Sequence, residues 1–219
     1  INKIVLTPER IFLFDIQDKK ILLFTRRGKF ITDIRPHGRG PGEWLGITDF
    51  TVDETDREII VTADRPYKFL YYDYNGNFLR EKTSEAFYTE ITRTTDNILA
   101  INSKVLEPKH YLSLLNEEDH RITVAKKIPL AFTYRGEFRC RGSYLLKSEH
   151  LYFTQNGDYT IYSWDNNRIK PVVTVDFGKY SYNPTQLNEE PHAPATRNKV
   201  LSIINVKEIR SNLFFNTNK

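Results

Sequence analysis

An internal repeat constrains this chain more than any other feature. Arg10 to Ile34 align with Glu58 to Lys82 at a shift of 48 residues, without gaps. Ile11 falls on Ile59, Lys20 on Lys68, Phe24 on Tyr72, Gly28 on Gly76 and Phe30 on Phe78. Self-similarity at such a period marks a stacked or radial array rather than one layered core. Each unit reads as an apolar strand (Ile11 to Phe14; Ile59 to Val61), a polar turn and a second strand (Ile21 to Phe24; Phe69 to Tyr72). A glycine turn then leads into a third strand from Phe30 or Phe78. Asn75-Gly76 between apolar runs predicts a type I′ hairpin, which needs positive φ at both central residues.

Weaker copies follow. One holds Asn97 to Ile101, Tyr111 to Leu115 and Arg121 to Val124, with a polar turn at Glu117-Glu118-Asp119. The next holds His150 to Thr154, Tyr159 to Trp164 and Ile169 to Val175, with turns at Asn156-Gly157 and Asn166-Asn167. The turns at Gly28, Gly76, Asp119 and Asn167 are spaced 43 to 48 residues apart, and Val200 to Ile204 and Leu213 to Phe215 read as strands of a fifth unit. β-Branched and aromatic residues at a period of two dominate the apolar runs, so the class is all-β. Only Val200 to Ile209 also suits a short helix. The expected fold is a β-propeller of four-stranded antiparallel blades, four to five of them in residues 1–219, read as a single domain. A closed ring normally needs more, so further strands are expected past Lys219 or among residues missing from the chain.

Two motifs carry a family resemblance. Gly38-Arg39-Gly40-Pro41-Gly42-Glu43-Trp44 follows the first hairpin and precedes Asp49-Phe50-Thr51-Val52-Asp53. Thr160-Ile161-Tyr162-Ser163-Trp164 is followed by Lys170-Pro171 and Val175-Asp176-Phe177-Gly178-Lys179-Tyr180. Together, over about Arg10 to Tyr180, they resemble signatures of six-bladed propeller proteins abundant in Bacteroidetes. The resemblance implies a six-bladed fold akin to NHL-type propellers, on exported and often lipid-anchored proteins, and hence an extracytoplasmic location. It transfers no catalytic residue.

The glycine loop invites a phosphate-cradle interpretation, but a dinucleotide fingerprint needs a sixth-position glycine and a helix. Here Glu43 stands at that position, Pro41 removes a donor and a strand follows. A tight inter-blade crossover accounts for the glycines. In the functional interpretation His37, Arg39 and Glu43, with Trp44, project at one end of the ring, where loops on a rigid scaffold carry binding sites. The five histidines lack metal-ligand spacing, and Asp53-Glu54-Thr55-Asp56 lacks the glycine and distal glutamate of an EF-hand. No metal and no cofactor are therefore expected.

The lone Cys140 lies between Arg139 and Arg141, and strand alternation sends it inward as a small hydrophobe. One cysteine cannot form an intrachain disulfide, so redox chemistry does not fix the compartment. Arg121 to Lys147 carries a local basic excess, including Arg135 and Arg139, that suits an anionic partner such as an acidic glycan. The net charge of +4 does not imply nucleic acid. Tyr67, Tyr71, Tyr88 and Trp44 are the aromatics to inspect as sugar platforms, with core packing as the default. No apolar run is long enough to span a bilayer as a helix. The functional expectation is a non-catalytic binding protein for a glycan or another surface protein. The alternative is a propeller lactonase, lyase or glycan-cleaving enzyme with its site at the central channel.

Overall fold

The computed structural model describes residues 1–101, 111–129, 142–148, 150–155, 157–165, 168–181 and 198–218. The chain is all-β and divides into two compact units, Ile1–Asn102 with Leu112–Ile128, and Ser103–Tyr111 with Pro129–Lys219.

The first unit holds three blades. Blade 1 is β1 (Lys3–Leu6), β2 (Arg10–Asp15), β3 (Lys20–Thr25) and β4 (Phe30–Ile34), an antiparallel meander in that order. Blade 2 is β5 (Ile47–Asp53), β6 (Glu58–Asp64), β7 (Tyr67–Asp73) and β8 (Phe78–Ser84). Blade 3 is β9 (Glu90–Arg93), β10 (Ile98–Ile101), β11 (Tyr111–Glu118) and β12 (Arg121–Pro129). The outer strands β8 and β12 pair in parallel at Thr83↔Arg121 and Ser84↔Ile122. Blades 2 and 3 thus run on as one eight-stranded sheet.

The repeat's apolar positions fill the spaces between blades. Phe12, Phe14, Ile21, Leu23 and Ile34 of blade 1 cluster with Phe50, Ile59, Val61, Leu70 and Tyr72 of blade 2. On its other face blade 2 sends Ile60, Phe69 and Tyr71 against Ile91, Ile98, Leu115 and Ile122 of blade 3. A blade buried on both faces needs apolar residues at consecutive positions, which is why β6 and β7 are nearly unbroken apolar runs. Each such side chain contributes about 1.5–3 kcal/mol on burial.

The Asn75-Gly76 hairpin departs from the type I′ expectation, and the Gly28 turn has the same form. Gly28 N–H donates to the Thr25 carbonyl at 2.9 Å, and Gly76 N–H to the Asp73 carbonyl at 3.0 Å. Only the glycines reach positive φ, +83° and +84°; Asn75 does not. Each register shifts just beyond, at Leu23/Phe24 and Tyr71/Tyr72. These are type I turns closed by a left-handed glycine and a bulge. Asn75 escapes positive φ because the turn begins earlier, at Asp73, whose carboxylate accepts the Asn75 and Asn77 N–H groups at 2.8 and 2.9 Å.

The second unit holds blade 4, of β13 (Leu145–Lys147), β14 (Leu151–Gln155), β15 (Asp158–Asp165) and β16 (Arg168–Thr174), and a hairpin of β17 (Ser202–Ile209) and β18 (Asn212–Asn218). The Val200 to Ile209 stretch therefore forms an isolated bridge at Val200 and the strand Ser202–Ile209, not a helix. Ile203 and Val206 pack on Tyr152 and Ile161, and that tertiary surface decides the ambiguous local pattern. Among the described residues the one helical turn is a 3₁₀ turn at Gly178–Tyr180.

Candidate functional site

The loop from Arg35 to Gly46 joins β4 to β5, so it must carry the chain from an outer strand to the next inner one. His37 pairs with Trp44 across it, and Gly38 N–H donates to the Trp44 carbonyl at 3.1 Å. Glu43 turns its carboxylate back into the loop, where Oε2 accepts the Gly40 N–H at 2.8 Å. A Cβ on Gly38 would lie 2.0 Å from that oxygen, so only glycine leaves room for it. The position an external anion would take in such a loop is filled by the chain's own carboxylate, which is the physical reason a phosphate cradle does not form.

Blade 2 braces the loop from beneath. Lys68 on β7, its side chain only 6% exposed, meets Glu81 on β8 at 2.8 Å and the Gly40 carbonyl at 3.3 Å. Glu81 Oε2 also accepts the Gly42 N–H at 2.9 Å, and the buried Tyr72 hydroxyl donates to the Gly42 carbonyl at 2.8 Å. Trp44 is 1% exposed and meets Tyr72 edge-on, with ring centroids 6.1 Å apart. Gly42 has φ +75°, and a Cβ there would lie 3.0 to 3.2 Å from the Phe78 ring.

Burial alone would raise the Glu81 carboxyl. The Lys68 hydrogen bond, the Gly42 N–H and the Lys68 charge outweigh it and hold the group below its ordinary value of 4.5. A carboxylate with a depressed folded pKa stabilises above its unfolded pKa and loses that contribution as pH falls through the folded one. Between about pH 5 and about pH 3 the melting temperature of a Glu81→Gln chain should therefore fall less than that of the parent. Parallel melting curves across that window would show that the brace does not couple to folding.

The tip of the loop is different. His37 and Arg39 are exposed, and neither side chain has a hydrogen bond or ion pair among the described residues. Arg35 is exposed and pairs with Asp33 at 2.8 Å. Beside the loop lies a groove of about 490 Å³ whose lining includes Pro36, Pro41 and Phe78 together with Asp33, Arg35 and Glu43.

Of the expected site residues, the structure thus brings His37, Arg39, Glu43 and Trp44 into one loop. His37 and Arg39 face solvent, Glu43 holds the loop, and Trp44 lies in the core. Arg135, Arg139 and Cys140 lie outside the described residues. Tyr71 and Tyr88 are buried core residues, the Tyr71 hydroxyl donating to Glu117 at 2.7 Å, and Tyr67 is exposed against Phe87. Asp53 in the acidic turn is buried and paired with Arg93 at 2.7 Å. Arg93 also reaches Glu117 at 2.7 Å, beside a polar hollow of about 470 Å³. Among the described residues no three His, Cys, Asp or Glu are grouped as metal ligands would be, and no helix is long and apolar enough to cross a membrane.

Sequence reasoning missed Lys68, Glu81 and Phe78. The available signal was a lysine inside an apolar strand, Tyr67-Lys68-Phe69-Leu70, which must find a partner where it is buried. Its repeat equivalent Lys20 pairs instead with the exposed Asp18, so the repeat alone does not reveal the brace.

Comparison with known proteins places this geometry on a familiar fold. A family model described as a domain of unknown function (DUF4934) matches residues 1–219. No curated protein matches the sequence. An exported protein of Bacteroides fragilis is similar in structure, with a TM-score of 0.62 and 21% identity over 80% of this chain and 51% of its own. A protein of unknown function from Bacteroides caccae gives 0.54 and 11% identity over 95% of this chain and 67% of its own. The WD40 domain of Toxoplasma gondii coronin gives 0.51 and 8% identity over 78% and 44%. This chain spans about half the length of the B. fragilis protein. WD40 domains are β-propellers, and the likeness is one of fold.

Proposed function

We propose that this chain, which belongs to the family of the domain of unknown function DUF4934, is a non-catalytic, extracytoplasmic β-propeller that binds an acidic glycan through the Arg35 to Gly46 loop. One observation carries the proposal: a loop braced from within by Glu43 and from beneath by Lys68, Glu81 and Tyr72 still holds the Arg39 and His37 side chains out to solvent, without a partner among the described residues. A guanidinium that makes no internal contact among the described residues, on a braced base, costs little to dock. The exported B. fragilis neighbour supports the location. The 43 to 48 residue spacing of the turns and the two sequence signatures support a propeller of the six-bladed type.

The test is a comparison of polygalacturonate with neutral dextran at low and high salt. The acidic polymer is expected to raise the melting temperature by mass action and to lose affinity as salt screens the contact. Arg39→Ala should weaken that binding roughly tenfold, the scale of one charge-assisted hydrogen bond. Equal binding of the parent and Arg39→Ala chains would place the contact elsewhere.

A further inference from the structure

The groove beside the loop has a chemistry that Arg39 at the tip does not explain. Phe78 stands at the turn into β8 with its ring over Gly42, so close that a Cβ added to Gly42 would lie 3.0 to 3.2 Å from it. Tyr72 meets it edge-on, with centroids 5.7 Å apart and planes at 64°. Despite two fixed neighbours Phe78 remains 41% exposed, so a positioned aromatic surface is left open to solvent. Around it stand groups of both signs. Arg35 and Asp33 pair at 2.8 Å, which orients a guanidinium donor and a carboxylate acceptor along one lip. Glu43 uses Oε2 for Gly40, and Oε1 makes no hydrogen bond among the described residues.

A pyranose ring matches this set. Its C–H face is apolar and flat enough to cover an aromatic ring, while its equatorial hydroxyls need both donors and acceptors at the edge. The volume of about 490 Å³ lies within the range of small-ligand sites. The groove does not suit a peptide as well, because an apolar anchor side chain needs an enclosed apolar pocket, and here charged groups share the walls.

We infer that the groove of Phe78, Pro36, Pro41, Asp33, Arg35 and Glu43 is a subsite for one sugar ring of the glycan, stacked on Phe78, with the chain's acidic groups running on toward Arg39. This inference rests on the function proposed above and names the part of the ligand that the loop tip does not hold.

The experiment is calorimetric titration of the whole chain with oligogalacturonate, with a neutral oligosaccharide (cellohexaose) and with an acidic peptide. Parent, Arg39→Ala, Phe78→Ala and Phe78→Tyr chains are compared, each checked for an unchanged melting transition. The inference expects Phe78→Ala to weaken oligogalacturonate at least tenfold and Phe78→Tyr, which keeps the ring, to hold within about threefold. If Phe78→Ala unfolds, the comparison of Phe78→Tyr with Phe78→Leu replaces it, and equal loss in both overturns the subsite. Unchanged binding by a folded Phe78→Ala chain that still depends on Arg39 overturns the subsite and leaves the loop proposal standing. Phe78-dependent binding of cellohexaose with no dependence on Arg39 does the reverse. Capture of the acidic peptide but neither sugar overturns both.

Discussion

Replacing Trp44 with alanine is expected to lower the free energy of unfolding by about 3–5 kcal/mol, the cost of emptying a site of that size in a close-packed core. The indole is 1% exposed, lies in the cluster between blades 1 and 2, and meets Tyr72 edge-on. Its backbone carbonyl also receives the Gly38 N–H at 3.1 Å, so the cavity would open under the loop itself. Equilibrium urea unfolding measures the effect, and Trp44→Phe should recover more than half of it. A loss below about 1 kcal/mol would mean that the loop repacks without its anchor, and the rigidity assigned to the loop would go with it.

The second large effect is at Asp49. Lys3 on β1 reaches Asp49 on β5 at 2.8 Å, together with the carbonyls of Phe50 at 2.8 Å and Ile91 at 3.2 Å. Asp49 also accepts the Ile91 N–H at 2.8 Å, so one ion pair joins the inner strands of three blades. Burial outweighs the attraction of Lys3 and pushes the Asp49 carboxyl above its ordinary value of 3.8. The pair therefore matters less for any net gain than for the penalty when one partner stands alone. Asp49→Ala strands a lysine whose side chain is 15% exposed and should cost about 3–5 kcal/mol. The double change Lys3→Met with Asp49→Leu should cost clearly less than the sum of the single changes in a double-mutant cycle. Additive single effects would show that the two side chains act separately.

These two sites divide what was legible in the sequence from what was not. The three outer strands of each blade announce themselves through alternation, aromatic content and the glycine turns, and β2, β3, β6 and β7 contain the expected segments Ile11 to Phe14, Ile21 to Phe24, Ile59 to Val61 and Phe69 to Tyr72. The short inner strands β1, β9 and β13 went unseen. They have only three or four residues, and Lys3, Glu90 and Arg93 give two of them a polar pattern. A lysine or arginine makes sense in such a strand only once its partner on the neighbouring blade is known, and Asp49 and Asp53 lie about 40 residues or more away.

The loop shows the same division. Its glycines point to a tight crossover from composition alone; a Cβ on Gly38 would meet Glu43 at 2.0 Å, and Gly42 has a positive φ of +75°. The brace could not be read in advance, because Lys68 and Glu81 come from strands whose nearness to Gly40 and Gly42 is a product of the fold. Nor could the pairing of β8 with β12. It rests on two backbone residue pairs between strands nearly 40 residues apart in sequence, and no residue type marks it.

That parallel pairing makes the first unit mechanically uneven. Blades 2 and 3 share one ladder of backbone bonds, so a fluctuation that parts them must break peptide hydrogen bonds as well as strip apolar contacts. Blade 1 forms a separate sheet held against blade 2 by side chains. Partial opening should therefore begin at that seam, with β5 to β12 behaving as one cooperative foldon and the braced Arg35 to Gly46 crossover staying with blade 2.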